Sequence, residues 1–393
     1  MLTQEVLRSF LGPPGAYLHI PFCRSICPFC PYNKIVYQPE LVRRYFMAVE
    51  EEVTRYVKHL EAPFTSLYIG GGTPTLCLDE LSSLVAKIPV KGERAMEILP
   101  THATGDRLDQ IEKMGITFIS LGVQSFNADM LRHLKRPNSV LDNQQALDRV
   151  AGRFACVDID LIFDVAFEDE TVFLHDLETC FIRGADQVST YPLMRFGYTP
   201  FGKGGHDRRQ EHILLHKAEE LASRYGYERR SVWTFNRKQA PNYTSITRPF
   251  YLGLGAGSAS YTGRLFLVNH FSIDRYIEKV QAGELPIART VKLSAFPSSA
   301  YALFWQLYTG SIDTDALADR FGTMLAMGWR TLFSLLAWAN YLEKDDNVFI
   351  LTPKGRDRYH DLEQWVTYHF IEPLWAEMMQ EHRISARAQN GAN

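Results

Sequence analysis

The sequence lacks any long apolar run. None of its hydrophobic stretches approaches the roughly 18 residues that a membrane-spanning helix needs, and the opening MLTQEVLRSFLGPPG has neither the basic nor the apolar block of a secretory signal. These absences predict a cytoplasmic protein with no membrane partner. A charge excess is missing too, since 42 Lys and Arg stand against 45 Asp and Glu, a net charge of −3. That balance excludes a global attraction to nucleic acid, and no basic stripe supplies a local one. Cysteine is scarce, six in 393 residues, and three of the six fall between positions 23 and 30. Such spacing is no disulfide framework, and clustered thiols in a reducing compartment point to a metal. What is present, 46% hydrophobic and 22% charged residues, is the composition of a folded chain with a sizeable core.

Short β-rich runs alternate with amphipathic stretches through the first two-thirds, the pattern of βα units around a parallel sheet. Strands are predicted at 16–20, 66–70, 95–99, 117–121, 157–162 and 187–191, with a weaker one at 228–233. Helices are predicted over 39–60, 79–88, 104–114, 171–183 and 206–225, Pro39 standing where a helix-starting proline belongs. Six such units make an α/β fold, a partial (β/α)6 barrel, with its chemistry at the carboxyl ends of the strands. The barrel with its strand extensions is assigned to residues 1–263 and a connecting segment to 264–290. A mainly helical, winged-helix-like accessory domain is assigned to 291–383 and a disordered tail to 384–393.

The rim prediction gathers one site. Cys23, Cys27 and Cys30 follow the first strand and Gly70-Gly71-Gly72-Thr73-Pro74 follows the second, while Glu97 ends the third. Gln124 lies just past the fourth, Asp160 inside the fifth and Tyr191 at the end of the sixth. Three thiolates on one loop, with no second pair to follow, do not suit structural zinc, which takes four ligands. They suit an iron–sulfur cluster that keeps one iron open. Cys77, Cys156 and Cys180 are scattered and read as core.

The segment HIPFCRSICPFC, His19 to Cys30, resembles the CxxxCxxC loop of the radical S-adenosylmethionine (SAM) enzymes. The flanking YLHIPFC, GGGTPT (70–75), SLGVQSF (120–126) and FYLGLGAGSAS (250–260) resemble the subfamily of the oxygen-independent coproporphyrinogen III oxidase, a likeness running from about Tyr17 to Gly257. The resemblance implies a radical SAM barrel whose Cys23, Cys27 and Cys30 hold a [4Fe-4S] cluster. It also implies an external one-electron reductant, such as flavodoxin or ferredoxin, and cleavage of SAM to a 5′-deoxyadenosyl radical. By the same resemblance Gly71, Gly72 and Thr73 approach the methionine amine, Glu97, Gln124, Arg136 and Asp160 contact SAM, and Tyr17 and His19 lie beside the cluster.

Departures from the subfamily pattern guide the substrate reading. Tyr32 stands where the oxidase has a fourth cysteine, and the stretch 241–246 lacks the histidine that the related haem chaperone carries there. The phrases EILPTHAT (97–104), YPLMRFGYTPFGK (191–203) and RRSVWTFNR (229–237) resemble the class C radical SAM methyltransferases and cyclopropanases. That resemblance implies two SAM molecules and methylation or cyclopropanation of an aromatic or unsaturated small molecule in natural-product biosynthesis. Porphyrinogen decarboxylation and haem trafficking remain as alternatives. Tyr191, Met194, Phe196, Tyr198, Trp233, Phe235 and Tyr243 are read as either pocket lining or core, and Arg195, Arg230 and Arg237 as partners for a substrate carboxylate. Tyr191, Asp158 or His206 are the candidates to move a proton. Asp164-Val165-Ala166 replaces the Gly-Leu-Pro that follows the fifth strand in relatives.

Overall fold

The computed structural model describes residues 3–167, 170–202, 207–241 and 248–380. Six parallel strands form its centre: β1 (Gly15–Ile20), β2 (Leu67–Gly71), β3 (Arg94–Ile98), β4 (Phe118–Gln124), β5 (Cys156–Phe163) and β6 (Gln187–Pro192). Each pairs in parallel with the next in chain order, as the predicted βα units require. Side chains alternate across each strand. Leu18, Ile20, Ile69, Met96, Ile98, Ile119, Leu121, Val157, Ile159 and Leu161 are at most 2% exposed and belong to the core. Burial of each such side chain contributes about 1.5–3 kcal/mol. With stability concentrated on that side, the other side is free to be polar.

The helices cover the apolar side. Pro39–Val57 starts on the expected proline, and Leu78–Val85, Gly105–Lys113, Glu170–Ile182 and Arg208–Arg224 follow close to their predicted positions. The start of the last predicted helix, including His206, lies outside the described residues. The weak strand predicted at 228–233 is instead two strands, β7 (Tyr227–Arg229) and β8 (Thr234–Arg237), which pair antiparallel and extend the sheet from β6. Residues 230–233 make the turn, because Ser231 Oγ accepts from the Thr234 backbone N–H at 3.1 Å and closes it.

Beyond β1 the sheet continues through β9 (Tyr251–Leu254), parallel to it, and then antiparallel through β10 (Ala259–Tyr261), β11 (Leu265–Asn269) and β12 (Ile287–Lys292). The stretch 264–290, read as a connection, therefore carries β11, most of β12 and the helix Ile273–Gln281. Its hydrophobic periodicity was too short to reveal that β11 pairs with β10 and β12 with β11. The carboxyl-terminal part is mainly helical, with a small antiparallel sheet of β13 (Ser311–Asp313), β14 (Leu342–Asp345) and β15 (Val348–Leu351). The helix Pro353–Val366 runs on into a single wider π turn, Thr367–Ile371, and helix continues to residue 380. The predicted tail at 384–393 lies outside the described residues.

A buried polar chain fastens this part to the barrel. The Trp233 indole N–H donates to His360 Nδ1 at 2.9 Å, which leaves His360 Nε2–H to donate to Glu211 Oε2 at 2.9 Å. Gln364 Nε2 donates to the same carboxylate oxygen at 2.6 Å. Burial pushes the His360 imidazole below its ordinary range, consistent with this neutral tautomer. Glu211 and His360 are 2% and 0% exposed, so loss of the carboxylate strands two buried donors. Glu211→Ala should destabilise the protein by about 3 kcal/mol, read as a lower midpoint of urea unfolding; a change within about 0.5 kcal/mol would remove this network from the interface.

Candidate functional site

The inward residues of the six strands line one cavity of about 820 Å³. They come in period-two sets: Tyr17 and His19, Ala95 and Glu97, Ser120, Gly122 and Gln124, Asp158, Asp160 and Ile162, and Gln187, Ser189 and Tyr191. Cys23, Cys27 and Cys30 enter from the loop after β1, and Gly71, Gly72 and Thr73 from the end of β2. The described residues predicted to hold the cluster and SAM, with Asp158 and Tyr191, therefore all line this cavity. His206 lies outside the described residues, as does Tyr243.

The cysteine loop is held from below. His19 Nε2–H donates to the Asn33 carbonyl oxygen at 2.8 Å, so its Nδ1 accepts the Tyr17 hydroxyl at 2.8 Å. Burial pushes His19 down to about 4, which keeps it neutral in this role. The Tyr45 hydroxyl donates to the His19 carbonyl oxygen at 2.7 Å. His19 thus ties β1 to the far end of the loop. Gly71 has φ +116°, and a Cβ there would stand 2.6 Å from His19 Cε1. At Gly72 a Cβ would come within 2.7 Å of the Phe22 carbonyl oxygen and 3.0 Å of Cys23 Sγ.

The thiols themselves are chemically unfinished. Burial pushes Cys23 up to about 11 and raises Cys30, so neither is a thiolate at neutral pH without a compensating cation. Arg136 donates to Cys27 Sγ at 3.3 Å and to the Gly122 carbonyl oxygen at 2.6 Å, while its buried Nε has no partner among the described residues. No three His, Cys, Asp or Glu side chains among the described residues are gathered around a single ion. Three thiols spread over one loop, with an unsatisfied guanidinium beside them, fit a multi-iron cluster and an anionic ligand better than one zinc ion.

Acidic groups face the loop across the cavity. Glu97 Oε1 accepts the Tyr68 hydroxyl at 2.8 Å and Oε2 accepts the Gly71 backbone N–H at 3.1 Å. Burial pushes Glu97 up to about 7. Asp160 accepts from the Ser120 hydroxyl and is raised by burial to about 6, with the charge of Arg136 opposing the shift. Asp158 accepts the Ser189 hydroxyl at 2.8 Å and is held well above the usual carboxylate range, by burial first and then by the charge of Asp160. Gln124 reaches the cavity because the strand register shifts between Gly122 and Gln124 and Gln124 takes φ +72°.

The aromatic residues divide. Tyr191, Met194, Phe196 and Trp233 line the cavity, whereas Phe235 is fully buried core. Tyr198 does not line the cavity; its hydroxyl donates to the Pro31 carbonyl oxygen at 3.3 Å and so holds the cysteine loop from outside. The three arginines read as carboxylate partners are spent within the fold: Arg195 pairs bidentately with Asp164 at 2.8 Å, Arg230 with Glu228 at 2.6 Å and Arg237 with Asp186. Asp164 also accepts the Ala166 backbone N–H at 3.1 Å, which closes the turn that glycine and proline make in relatives. Sequence reasoning missed the roof, where Tyr301, Trp305, Tyr308, Glu363, Thr367, Phe370 and Trp375 complete the lining. They come from helices more than a hundred residues past β6, and no local signal joins them to the barrel.

Residues 17–174 match the radical SAM superfamily. The haem chaperone HemW of Bacillus subtilis is 25% identical over 364 residues, covering 87% of this chain and 96% of the relative. The oxygen-independent coproporphyrinogen III oxidase of Bradyrhizobium diazoefficiens is 24% identical over 320 residues, 70% of each chain. The solved structure of the Escherichia coli coproporphyrinogen III oxidase HemN superposes with a TM-score of 0.77 at 20% identity, covering 93% of both chains.

These relatives overturn the expected methyltransferase or cyclopropanase activity. The phrases behind that expectation supply cavity lining, Glu97, Tyr191, Met194, Phe196 and Trp233, and also contacts that hold the fold. His102 of EILPTHAT bonds Thr75 at 2.6 Å inside the barrel wall, Arg195 of YPLMRFGYTPFGK is paired with Asp164, and Trp233 of RRSVWTFNR holds His360. The superfamily uses a [4Fe-4S] cluster and SAM, and the residues assembled here suit both. Residues 17–174 are thus similar to the radical SAM superfamily, and the fold as a whole is the one that the coproporphyrinogen oxidase carries along nearly its whole length.

Proposed function

We propose that the protein is a radical SAM enzyme acting on a tetrapyrrole, with the barrel supplying the cofactor site and the carboxyl-terminal part closing the substrate cavity. The observation that carries this reading is the continuity of the cavity, from the three cysteines past Glu97 and Asp160 to the rings of Trp233, Trp305, Phe370 and Trp375. Its approximately 820 Å³ is lined by both polar groups and aromatic faces, a combination suited to a large flat ligand beside a charged cofactor. The names of the relatives, coproporphyrinogen oxidase and haem chaperone, support a tetrapyrrole as that ligand.

Cys23, Cys27 and Cys30 would hold the cluster, and Gly71, Gly72, Thr73, Glu97, Gln124, Arg136 and Asp160 the SAM. When bound, this pair supplies one-electron chemistry that removes a hydrogen atom from an otherwise unreactive carbon. The chain's own residues do the rest. Arg136, with its spare Nε, is placed to receive a carboxylate; Glu97 and Asp160 offer acceptors to an ammonium and to hydroxyls. Asp158, kept neutral by burial and oriented by Ser189, is placed to hold a proton, and the Tyr191 hydroxyl lines the same wall. The apolar roof excludes water from the reacting carbon. An external one-electron donor is required by this scheme.

A second reading, a haem-binding carrier, is favoured by the match along 96% of HemW. Anaerobic reconstitution with iron and sulfide, then reduction in the presence of SAM with and without coproporphyrinogen III, separates the two. The enzyme reading predicts 5′-deoxyadenosine whose formation rises with the porphyrinogen; haem retained on purification with no such rise would favour the carrier.

Two variants test the assignments. Cys27→Ala should lose both the brown absorbance and SAM cleavage, and retained cleavage would contradict the cluster role. Glu97→Ala should weaken SAM binding by about ten- to a hundredfold while iron content stays normal, and unchanged affinity would remove Glu97 from the site. Glu97 also carries a pH signature. Its folded value of about 7 lies above the ordinary 4.5, so its contribution to stability is full below 4.5 and is lost as pH rises through 7. Glu97→Gln should flatten the stability profile over that window, and a profile identical to that of the parent would place no proton on Glu97.

A further inference from the structure

Glu363 is an unexplained group in the roof. It sits on the helix Pro353–Val366, is 6% exposed and lines the cavity. Its Oε1 accepts the Thr367 hydroxyl at 3.0 Å, but its buried Oε2 has no hydrogen-bond partner among the described residues. A buried carboxyl oxygen without a partner costs about 1–3 kcal/mol, and burial pushes the group up to about 8. Nothing in the fold requires this expense, since the neighbouring Gln364 and His360 already satisfy Glu211 without it.

Two further observations make the position a site. The helix opens into a π turn four residues beyond Glu363, at Thr367–Ile371, a distortion that costs regular hydrogen bonding and recurs at functional sites. Thr367, Phe370 and Ile371 of that turn line the same cavity. The surrounding wall is aromatic, with Trp305 and Tyr308 on one helix and Trp233 on the hairpin turn. A flat ring system packed there would present N–H donors at its centre to Glu363 Oε2, and such donors favour the carboxylate form that accepts them.

We infer that Glu363 is a specificity-determining residue whose free oxygen accepts the pyrrole N–H groups of a porphyrinogen, so that the cavity selects a metal-free, reduced ring over a metal-filled one. This rests on the tetrapyrrole reading above and deepens it. In a porphyrinogen the saturated bridges let the four pyrroles tilt, and their N–H groups converge on one face. In a copper(II) porphyrin all four nitrogens are bound to the metal in a square plane, and no N–H remains. A carboxyl above the ring centre distinguishes the two; an apolar residue does not.

The test is anaerobic titration of tryptophan fluorescence with coproporphyrinogen III and with copper(II) coproporphyrin III, which carry the same side chains. The parent protein should bind the porphyrinogen more tightly. Glu363→Leu, which removes the acceptor, should weaken porphyrinogen binding by about ten- to a hundredfold and leave the copper ring within twofold, while its thermal midpoint holds or rises because an unpaired acid has gone. Glu363→Gln, which keeps a neutral oxygen acceptor, is the second variant and should show a selective loss smaller than that of the leucine variant. Equal losses for both ligands, unchanged affinities or tighter binding of the copper ring by the parent would overturn the inference. If the parent binds neither ring, the tetrapyrrole reading itself fails, and this inference with it.

Discussion

Everything in this molecule depends on the alternation of side chains along six parallel strands. Each strand gives its apolar residues to the helices and its polar residues to the barrel interior, so that stability and chemistry are carried on opposite sides of the same backbone. Leu18 and Ile20 anchor β1 while Tyr17 and His19 face the site; Ile159 and Leu161 anchor β5 while Asp158 and Asp160 face it. A slip of one residue in either strand would exchange the two sets, burying carboxylates under helices and emptying the site. The hydrophobic shell therefore fixes the geometry of the acids.

Desolvation then sets the behaviour of the groups so placed. Cys23, Cys30, Glu97, Asp158 and Asp160 are pushed toward their neutral forms by burial, and Arg136 is the cation that faces both Cys27 and Asp160. Buried thiols and raised acids would release their protons to solvent when a cluster and a cationic cofactor bind. His19 acts differently: neutral, buried and bonded on both nitrogens, it holds the loop rather than a ligand.

Much of this was legible in the sequence because the decisive signals are local. Three cysteines in eight positions, a glycine run at a strand end and polar residues at period two in β5 can each be read in a short window. The six barrel strands and their helices follow from the same periodicities. The hairpin β7–β8 was harder, because its turn contains Val232 and Trp233, which resemble strand residues but are buried by contact with Tyr308 and His360. The roof was illegible: Trp305, Glu363 and Trp375 meet the cysteine loop only through tertiary packing. Substrate class failed for a related reason. Tyr32 and a few short phrases weighed heavily when read alone, yet Tyr32 stands at the cavity edge with its ring 5.7 Å from that of Trp375, and the similarity along the whole chain points elsewhere.

The central claim is that the three thiols of one loop hold a cluster whose remaining iron is open to SAM. Electron paramagnetic resonance of the anaerobically reconstituted, dithionite-reduced protein tests it most directly. The account predicts the signal of a reduced [4Fe-4S] cluster that shifts on addition of SAM, because the cofactor binds the open iron. A full cluster whose signal is unmoved by saturating SAM would contradict it.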